Sequence, residues 1–167
     1  LDKVLLKCTE PNYYELKNFL YTSHSEQAIV VETLFAHGIN VVLKFGILES
    51  IEKEYEISNE LFSFPLPNFM RYLCMIKCND SIANIINNKQ SISKYKMCYY
   101  GNDPIGILVM KHYYLGCVDN YNWNINNFFF FFNIIKQVVF AVIYAYETKG
   151  FVHGDLYSVN ILLKSNI

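Results

Sequence analysis

The chain has 167 residues, of which 53% are hydrophobic and 17% are charged, and this composition excludes an intrinsically disordered chain. Fourteen Lys and Arg residues against fifteen Asp and Glu give a formal net charge of −1, so we expect neither a nucleic-acid partner nor a membrane partner. The five cysteines are odd in number, and Cys74 and Cys78 form no CxxC pair. This spacing favours reduced intracellular thiols over a zinc site.

The N-terminal part of the chain predicts a β-hairpin. After a helical or irregular lead-in at residues 12–21, residues 28–35 are rich in β-branched side chains and predict a strand. A turn that contains Gly38 separates this strand from a second apolar run at residues 41–45. Two such runs around a glycine-containing turn are typical of a hairpin.

An amphipathic helix is predicted over residues 49–62, where apolar side chains recur at helical spacing among charged ones. The apolar positions are Ile51, Tyr55, Ile57 and Leu61. Pro65 and Pro67 are expected to end this helix, because proline cannot continue the backbone hydrogen-bond ladder.

Two further strands are predicted at residues 69–76 and 105–110. The stretch that separates them is rich in Asn, Ser and Lys, and we interpret it as an insertion with a short helix at residues 82–86. Residues 111–127 are polar and predict a connector.

A long buried helix is predicted over residues 128–148, with Gly150 as the residue that ends it. Its sequence includes five consecutive phenylalanines. A membrane span is the alternative, but Asn133, Lys136 and Gln137 leave no uninterrupted apolar run near the roughly 20 residues that a bilayer needs.

The pattern with the most chemical content comes next: His153, Asp155 and Asn160 lie between that helix and a short β run, with another at residues 151–152. Phosphoryl transfer needs positioned phosphates and metal, and a carboxylate that accepts the hydroxyl proton. Asp155 is suited to be that carboxylate, and the amide oxygen of Asn160 is a hard ligand suited to Mg²⁺. The alternative is that the two residues are only a turn residue and a cap.

Residues 153–160, His-Gly-Asp-Leu-Tyr-Ser-Val-Asn, resemble the H-R-D-L-x-x-x-N catalytic loop of the eukaryotic-type protein kinase superfamily. Residues 41–44 resemble its V-A-I-K strand, residues 67–69 its H-P-N-I segment, and residues 107–110 the strand that enters its hinge. These segments occur in the family's order. The resemblance implies an α+β, protein kinase-like two-lobe fold, with a strand-rich N-lobe at residues 1–111 and a hinge and partial C-lobe at residues 112–167.

The resemblance also implies a role for individual residues. Lys44 would position the α- and β-phosphates of ATP, and Glu54 would pair with Lys44. Asp155 would be the catalytic carboxylate, and Asn160 would hold Mg²⁺. The gatekeeper and the adenine-binding hinge would be Met110, Lys111, His112 and Tyr113.

We therefore expect an intracellular, cytoplasmic kinase that transfers the γ-phosphoryl group of ATP to Ser or Thr hydroxyls of a protein substrate. A small-molecule phosphotransferase is one alternative, suggested by the His-Gly-Asp sequence. A pseudokinase that acts by binding a partner is another, because residues 21–27 hold no glycine where the family has its glycine-rich loop. Gly154 and Tyr157, which replace an arginine and a lysine of the family, also suggest it. Since the chain ends at Ile167 before a D-F-G motif, we expect these residues alone to be inactive.

Overall fold

The computed structural model describes residues 19–24, 29–35, 39–62, 68–78, 99–100, 102–113 and 115–164. They form two compact units, the first within Leu1–Glu60 and Met70–His112 and the second within Leu61–Phe69 and Tyr113–Ile167. The division into lobes at residues 111 and 112 stays a prediction. Most of the predicted lead-in, Pro65, Pro67 and the insertion helix at residues 82–86 lie outside the described residues.

The first unit is built on an antiparallel sheet. Its strands are β1 (Phe19–His24), β2 (Ile29–Phe35), β3 (Ile39–Ile47), β4 (Tyr72–Lys77), β5 (Tyr99–Tyr100) and β6 (Asp103–Lys111). The order across the sheet is β1-β2-β3-β6-β4, and β5 pairs with the start of β6. The predicted hairpin is confirmed as β2 and β3, in which Phe35 pairs with Ile39 and Ile29 with Phe45.

The burial of the strands follows from their places in the sheet. Strand β6 lies between β3 and β4, and residues 105–110 are all buried. A strand that is covered on both faces needs a continuous apolar sequence, and this run has one. In strand β3, by contrast, buried and partly exposed side chains alternate. Val41, Leu43 and Phe45 are buried, whereas Lys44, on the other face, is partly exposed.

Helix α1 (Leu48–Phe62) follows β3 directly and confirms the predicted amphipathic helix. Its Ile51 is buried in a cluster with Tyr72 and Met110 of the sheet. A Cβ added to Gly106 of β6 would lie 2.7 Å from Ile51 Cγ2. The helix therefore packs closely on the strand at a position that has no side chain.

The predicted apolar face of α1 is wrong at one position, Ile57. Ile57 is 46% exposed, whereas Ser58 is only 6% exposed and donates a hydrogen bond to the Met70 carbonyl oxygen at 2.7 Å. At 3.6 residues per turn, Ile57 lies about 120° around the helix from Ile51, and Ser58 lies within about 20° of it. The helical period therefore turns Ser58 towards the sheet and Ile57 away from it.

The second unit contains helix α2 (Phe128–Lys149), which confirms the predicted long helix. Gly150 ends α2 as predicted, with a φ of 65° and its N–H donating to the Tyr146 carbonyl oxygen at 2.7 Å. The prediction that the helix is buried is wrong for the described structure: Phe129 is 83% exposed. The buried residues of α2 are Ile134, Ala141 and Ala145.

Helix α2 has the length and the apolar composition to cross a membrane. Among the described residues it is the one helix with both properties, and a single such helix is weak support for a membrane location. Because it is apolar around most of its circumference, it would need partners on several sides, and the described residues cover only a small part of it.

The chain before β4 and after α2 differs from the predicted strands. Strand β4 begins at Tyr72, and the ring of Phe69 instead packs edge-on against Phe151 with 5.9 Å between centroids. Residues 151–152 form no strand. Phe69 and Phe151 therefore lie outside strands and pack against each other, although the apolar sequence predicts a strand at each of them.

The last apolar run pairs with a segment that the sequence predicts only as a connector. Leu162 forms an isolated antiparallel bridge with Cys117, and the Leu163 N–H donates to the Gly116 carbonyl oxygen at 2.8 Å. Cys117 is buried and free. This pairing joins the end of the described chain to the segment that follows the predicted hinge.

The predicted reduced state is wrong for two of the cysteines. Cys74 and Cys78 are each disulfide-bonded. Spacing along the chain indicates whether cysteines can form a local metal motif, but it does not show which thiols the fold brings together.

Candidate functional site

Lys44 and Glu54 form an ion pair in the first unit. Lys44 Nζ donates to Glu54 Oε1 at 2.8 Å and to Oε2 at 2.7 Å. The two residues are ten positions apart, and they meet because β3 runs directly into α1, which folds back over the sheet. Their side chains are 29% and 31% exposed, so water screens this pair less than it screens a fully exposed pair.

Tyr72 is a second partner of Glu54. It opens strand β4, and its hydroxyl donates a hydrogen bond to Glu54 Oε1. Burial first, and then the neighbouring Glu54 carboxylate, raise the pKa of the Tyr72 phenol well above its ordinary value, so it stays a protonated donor. Sequence analysis missed this residue, because a tyrosine at the start of a strand matches no catalytic motif.

The four predicted gatekeeper and hinge residues lie at and after the end of β6. Met110 is buried and pairs with Val42 of β3. Lys111 is exposed, whereas His112 and Tyr113 are half-buried. Burial raises the pKa of the Tyr113 phenol. The four residues follow the chain from the first unit into the second.

The loop around Asp155 belongs to the second unit and is tightly curled. The Asp155 N–H donates to the His153 carbonyl oxygen at 2.8 Å, which closes a three-residue turn around Gly154. The φ of Gly154 is +70°, a left-handed value that glycine adopts without a Cβ penalty. The Tyr157 N–H then donates to the Asp155 carbonyl oxygen at 3.2 Å. The Asp155 carboxylate is left exposed between these two turns.

Asn160 is hydrogen-bonded to Asp155. Its Nδ2 donates to the Asp155 carbonyl oxygen at 2.8 Å and to the carboxylate Oδ2 at 3.0 Å. A single 3₁₀ turn at Ser158–Asn160 brings the amide back towards Asp155. In this orientation Asn160 Oδ1 accepts no hydrogen bond from the described residues.

Two further contacts hold the loop in place. Ser158 Oγ donates to Asp119 Oδ1 at 3.0 Å, and the His153 ring lies edge-on to Phe151 with 6.1 Å between centroids. Asp119 is 39 residues from Ser158 along the chain. Sequence reasoning therefore had no local signal for this contact.

The loop contains oxygen atoms of the kind that Mg²⁺ prefers, namely the Asp155 carboxylate and Asn160 Oδ1. The described residues hold no group of three or more His, Cys, Asp or Glu side chains that could bind a metal ion. Mg²⁺ commonly binds through one or two protein ligands together with water and phosphate oxygens. The loop residues therefore fit a phosphate-bound Mg²⁺ better than an ion held by protein ligands alone.

The structure brings together Lys44 with Glu54 in the first unit and Asp155 with Asn160 in the second. No protein family model and no curated protein matches this sequence. Among solved structures, the chain is similar to that of Rad53 residues 1–466 in complex with AMP-PNP, with a TM-score of 0.55 and 14% identity over 92% of this chain and 35% of that one. It is also similar to the apo structure of a pseudokinase, with a TM-score of 0.49 and 10% identity over 90% of this chain and 50% of that one.

The chain thus spans 35% of the first of these structures and 50% of the second. At such low identity the likeness shows the fold alone. The fold predicted from the sequence is confirmed: the chain has an α+β, protein kinase-like fold, with a strand-rich N-lobe and part of a helical C-lobe.

Proposed function

We propose that the chain is part of an intracellular, cytoplasmic protein kinase that transfers the γ-phosphoryl group of ATP to Ser or Thr hydroxyls of a protein substrate. The observation that carries this proposal is the exposed Asp155 carboxylate held by Asn160 in a chain with a kinase-like fold. The AMP-PNP bound to Rad53 supports a nucleotide as the ligand. The net charge of −1 supports neither nucleic acid nor an anionic membrane as a partner.

In this proposal, Lys44 positions the α- and β-phosphates and Glu54 holds the ammonium group in place. The ammonium group is bound by both oxygens of one carboxylate, yet its side chain is still 29% exposed. It can therefore contact a phosphate while Glu54 restricts its motion, which is the kind of preorganisation that positioning requires. Met110 and the three residues that follow it would line the adenine pocket.

Asp155 is the group that accepts the proton of the substrate hydroxyl. Its carboxylate is exposed, and the hydrogen bond from Asn160 Nδ2 to Oδ2 restricts its rotation. The same orientation of the amide directs Asn160 Oδ1 away from Asp155, and this oxygen would hold Mg²⁺. When bound, the ion would neutralise charge on the phosphate oxygens.

The role of Asp155 is tested by Asp155→Asn in the full-length protein. We expect phosphoryl transfer to a peptide panel to be abolished, while the circular dichroism spectrum and the unfolding temperature stay unchanged, because Asp155 is exposed. Asp103→Asn is the matched control, since Asp103 is an exposed carboxylate at the start of β6. Transfer that survives in Asp155→Asn would contradict the proposal.

The role of Lys44 is tested by thermal stabilisation with Mg·ATP. A ligand at about 100 times its Kd stabilises a protein by about 2.7 kcal/mol, and we expect Lys44→Met to remove most of this effect. Lys53→Met is the matched control, because Lys53 forms an exposed ion pair with Glu49 at 2.6 Å. Equal stabilisation of both variants would show that Lys44 does not contact the nucleotide.

A pseudokinase is the second candidate, and the lack of glycine in residues 21–27 favours it. Without glycine, a loop cannot bring its backbone as close to phosphates. Tyr157 also favours it, since this exposed phenol stands where the resemblance implies a lysine. In the full-length protein, transfer to peptides that is lost in Asp155→Asn would argue for the kinase. Absence of transfer to peptides, sugars and aminoglycosides would argue for the pseudokinase.

A further inference from the structure

We propose that Tyr72 is a positioning residue for Lys44, acting through the Glu54 carboxylate. This inference rests on the proposed function, because that function gives Lys44 its role. Glu54 is held from two strands at once: Lys44 reaches it from β3 and Tyr72 reaches it from β4. Since β6 lies between β3 and β4, the carboxylate has a donor from each of the strands that flank β6.

The Tyr72 ring is itself fixed, which makes its hydroxyl an effective anchor. It is 8% exposed and packs in the cluster with Ile51 and Met110. Its strand position is set by its pairing with Met110 in β6. Glu54, by contrast, is a long side chain that is 31% exposed. Without the phenol, the carboxylate would keep Lys44 as its partner but would be freer to turn towards solvent.

The hydrogen bond from Tyr72 is accompanied by other polar contacts between α1 and the β4 segment. The contacts pair Glu52 with Lys77 at 2.9 Å, Glu54 with the Tyr72 hydroxyl, and Ser58 with the Met70 carbonyl oxygen at 2.7 Å. They are spread along more than one turn of the helix. Helix α1 is therefore attached to the sheet at Glu54 and on both sides of it, and the first unit by itself holds the Lys44–Glu54 pair together.

The first experiment reads the position of Lys44 without any nucleotide. Full-length wild type and Tyr72→Phe are treated with an amine-acylating reagent, and the rate of Lys44 modification is measured by mass spectrometry. We expect Tyr72→Phe to react about three to ten times faster, the factor by which the loss of one typical intramolecular hydrogen bond shifts an equilibrium. A looser Glu54 leaves Lys44 unpaired for more of the time.

Tyr55→Phe is the matched control for this experiment. Tyr55 lies on α1, packs against the same cluster and has no hydrogen-bond partner for its hydroxyl among the described residues. We expect its Lys44 modification rate to equal that of wild type. Unchanged rates in Tyr72→Phe, or equal increases in both variants, would overturn the proposal.

The second experiment is a double-mutant cycle on the affinity for Mg·ATP. We expect Tyr72→Phe to raise Kd about fivefold in the wild-type background and to leave Kd unchanged in the Glu54→Gln background. A phenol with only a structural role would raise Kd equally in both backgrounds, and that result would overturn the proposal. If wild type binds no Mg·ATP, the proposed function fails, and the modification rate of Lys44 alone decides whether Tyr72 positions it.

Discussion

Replacing Gly106 with alanine would place a methyl group where strand β6 meets helix α1. The new Cβ would lie 2.7 Å from Ile51 Cγ2, 2.9 Å from Ile51 Cβ and 3.1 Å from Leu48 Cδ1. The first two distances are shorter than real Cβ contacts, and the Ile51 side chain is buried. Ile51 or the backbone that carries it must therefore shift to accommodate the methyl group.

The expected cost follows from two opposing effects. Overpacking a core destabilises a protein by about 1–3 kcal/mol, and replacing a strand glycine regains about 0.5–1 kcal/mol of backbone entropy. We therefore expect Gly106→Ala to lower the free energy of unfolding by about 1.5 kcal/mol, which lowers Tm by about 3–6 °C in a domain of this size. Urea unfolding monitored by circular dichroism measures this difference.

A control and a coupled variant sharpen this test. Ser50→Ala adds alanine on the exposed surface of the same helix and should leave stability within about 0.5 kcal/mol of wild type. Ile51→Ala alone should cost about 2–5 kcal/mol. Combining it with Gly106→Ala should cost less than the sum by about 1 kcal/mol, because the contact with Ile51 Cγ2 at 2.7 Å is lost although the contact with Cβ at 2.9 Å stays. A Gly106→Ala protein as stable as wild type, or strict additivity, would refute the reasoning.

Three further predictions concern Tyr72, Gly154 and Asn160. The raised pKa of Tyr72 means that the unfolded chain loses this proton first as the pH rises, so its contribution to stability is complete below about pH 10 and falls above it by up to about 1.4 kcal/mol per pH unit. Urea unfolding from about pH 9 to 11 should show a shallower decline for Tyr72→Phe, and equal declines would contradict this sign. Gly154→Ala should lower the free energy of unfolding by about 1–2 kcal/mol through its φ of +70° alone, since nothing lies within 4 Å of a Cβ there. Gly154→Asn should cost less in the same thermal unfolding assay, and an equal cost would argue against backbone strain. Asn160→Ala removes both hydrogen bonds to Asp155, so kcat should fall far more than KM changes, and a change in KM alone would contradict the proposed role.

Local patterns predicted the elements of this chain well. The β2–β3 hairpin, helix α1 and the Gly150 end of α2 each depend on periodicity or on one special backbone position, and all three are confirmed. The family resemblance predicted that Lys44 pairs with Glu54, and the structure shows this ion pair. Their roles, and those of Asp155 and Asn160, stay predictions.

The errors concern burial and long-range contacts. Helix α2 was expected to be buried because it is apolar, but many of its apolar side chains are exposed. An apolar sequence favours burial, but whether other segments cover the helix depends on the tertiary structure. Phe69 and Phe151 carry β-type sequence and pack against each other instead. Cys74 and Cys78 are each disulfide-bonded, and their spacing along the chain did not predict this.

By itself the sequence determined the order of strands and helices and the kinase-like loop, because helical and strand periods, glycine positions and motif spacing act over a few residues. Only the tertiary structure decided that Tyr72 donates to Glu54 and that Gly106 must lack a side chain beneath Ile51. Both depend on the order β3-β6-β4 and on the return of α1 over the sheet. Such contacts form only when strands and a helix from separate segments pack together, and no single segment of the chain encodes them.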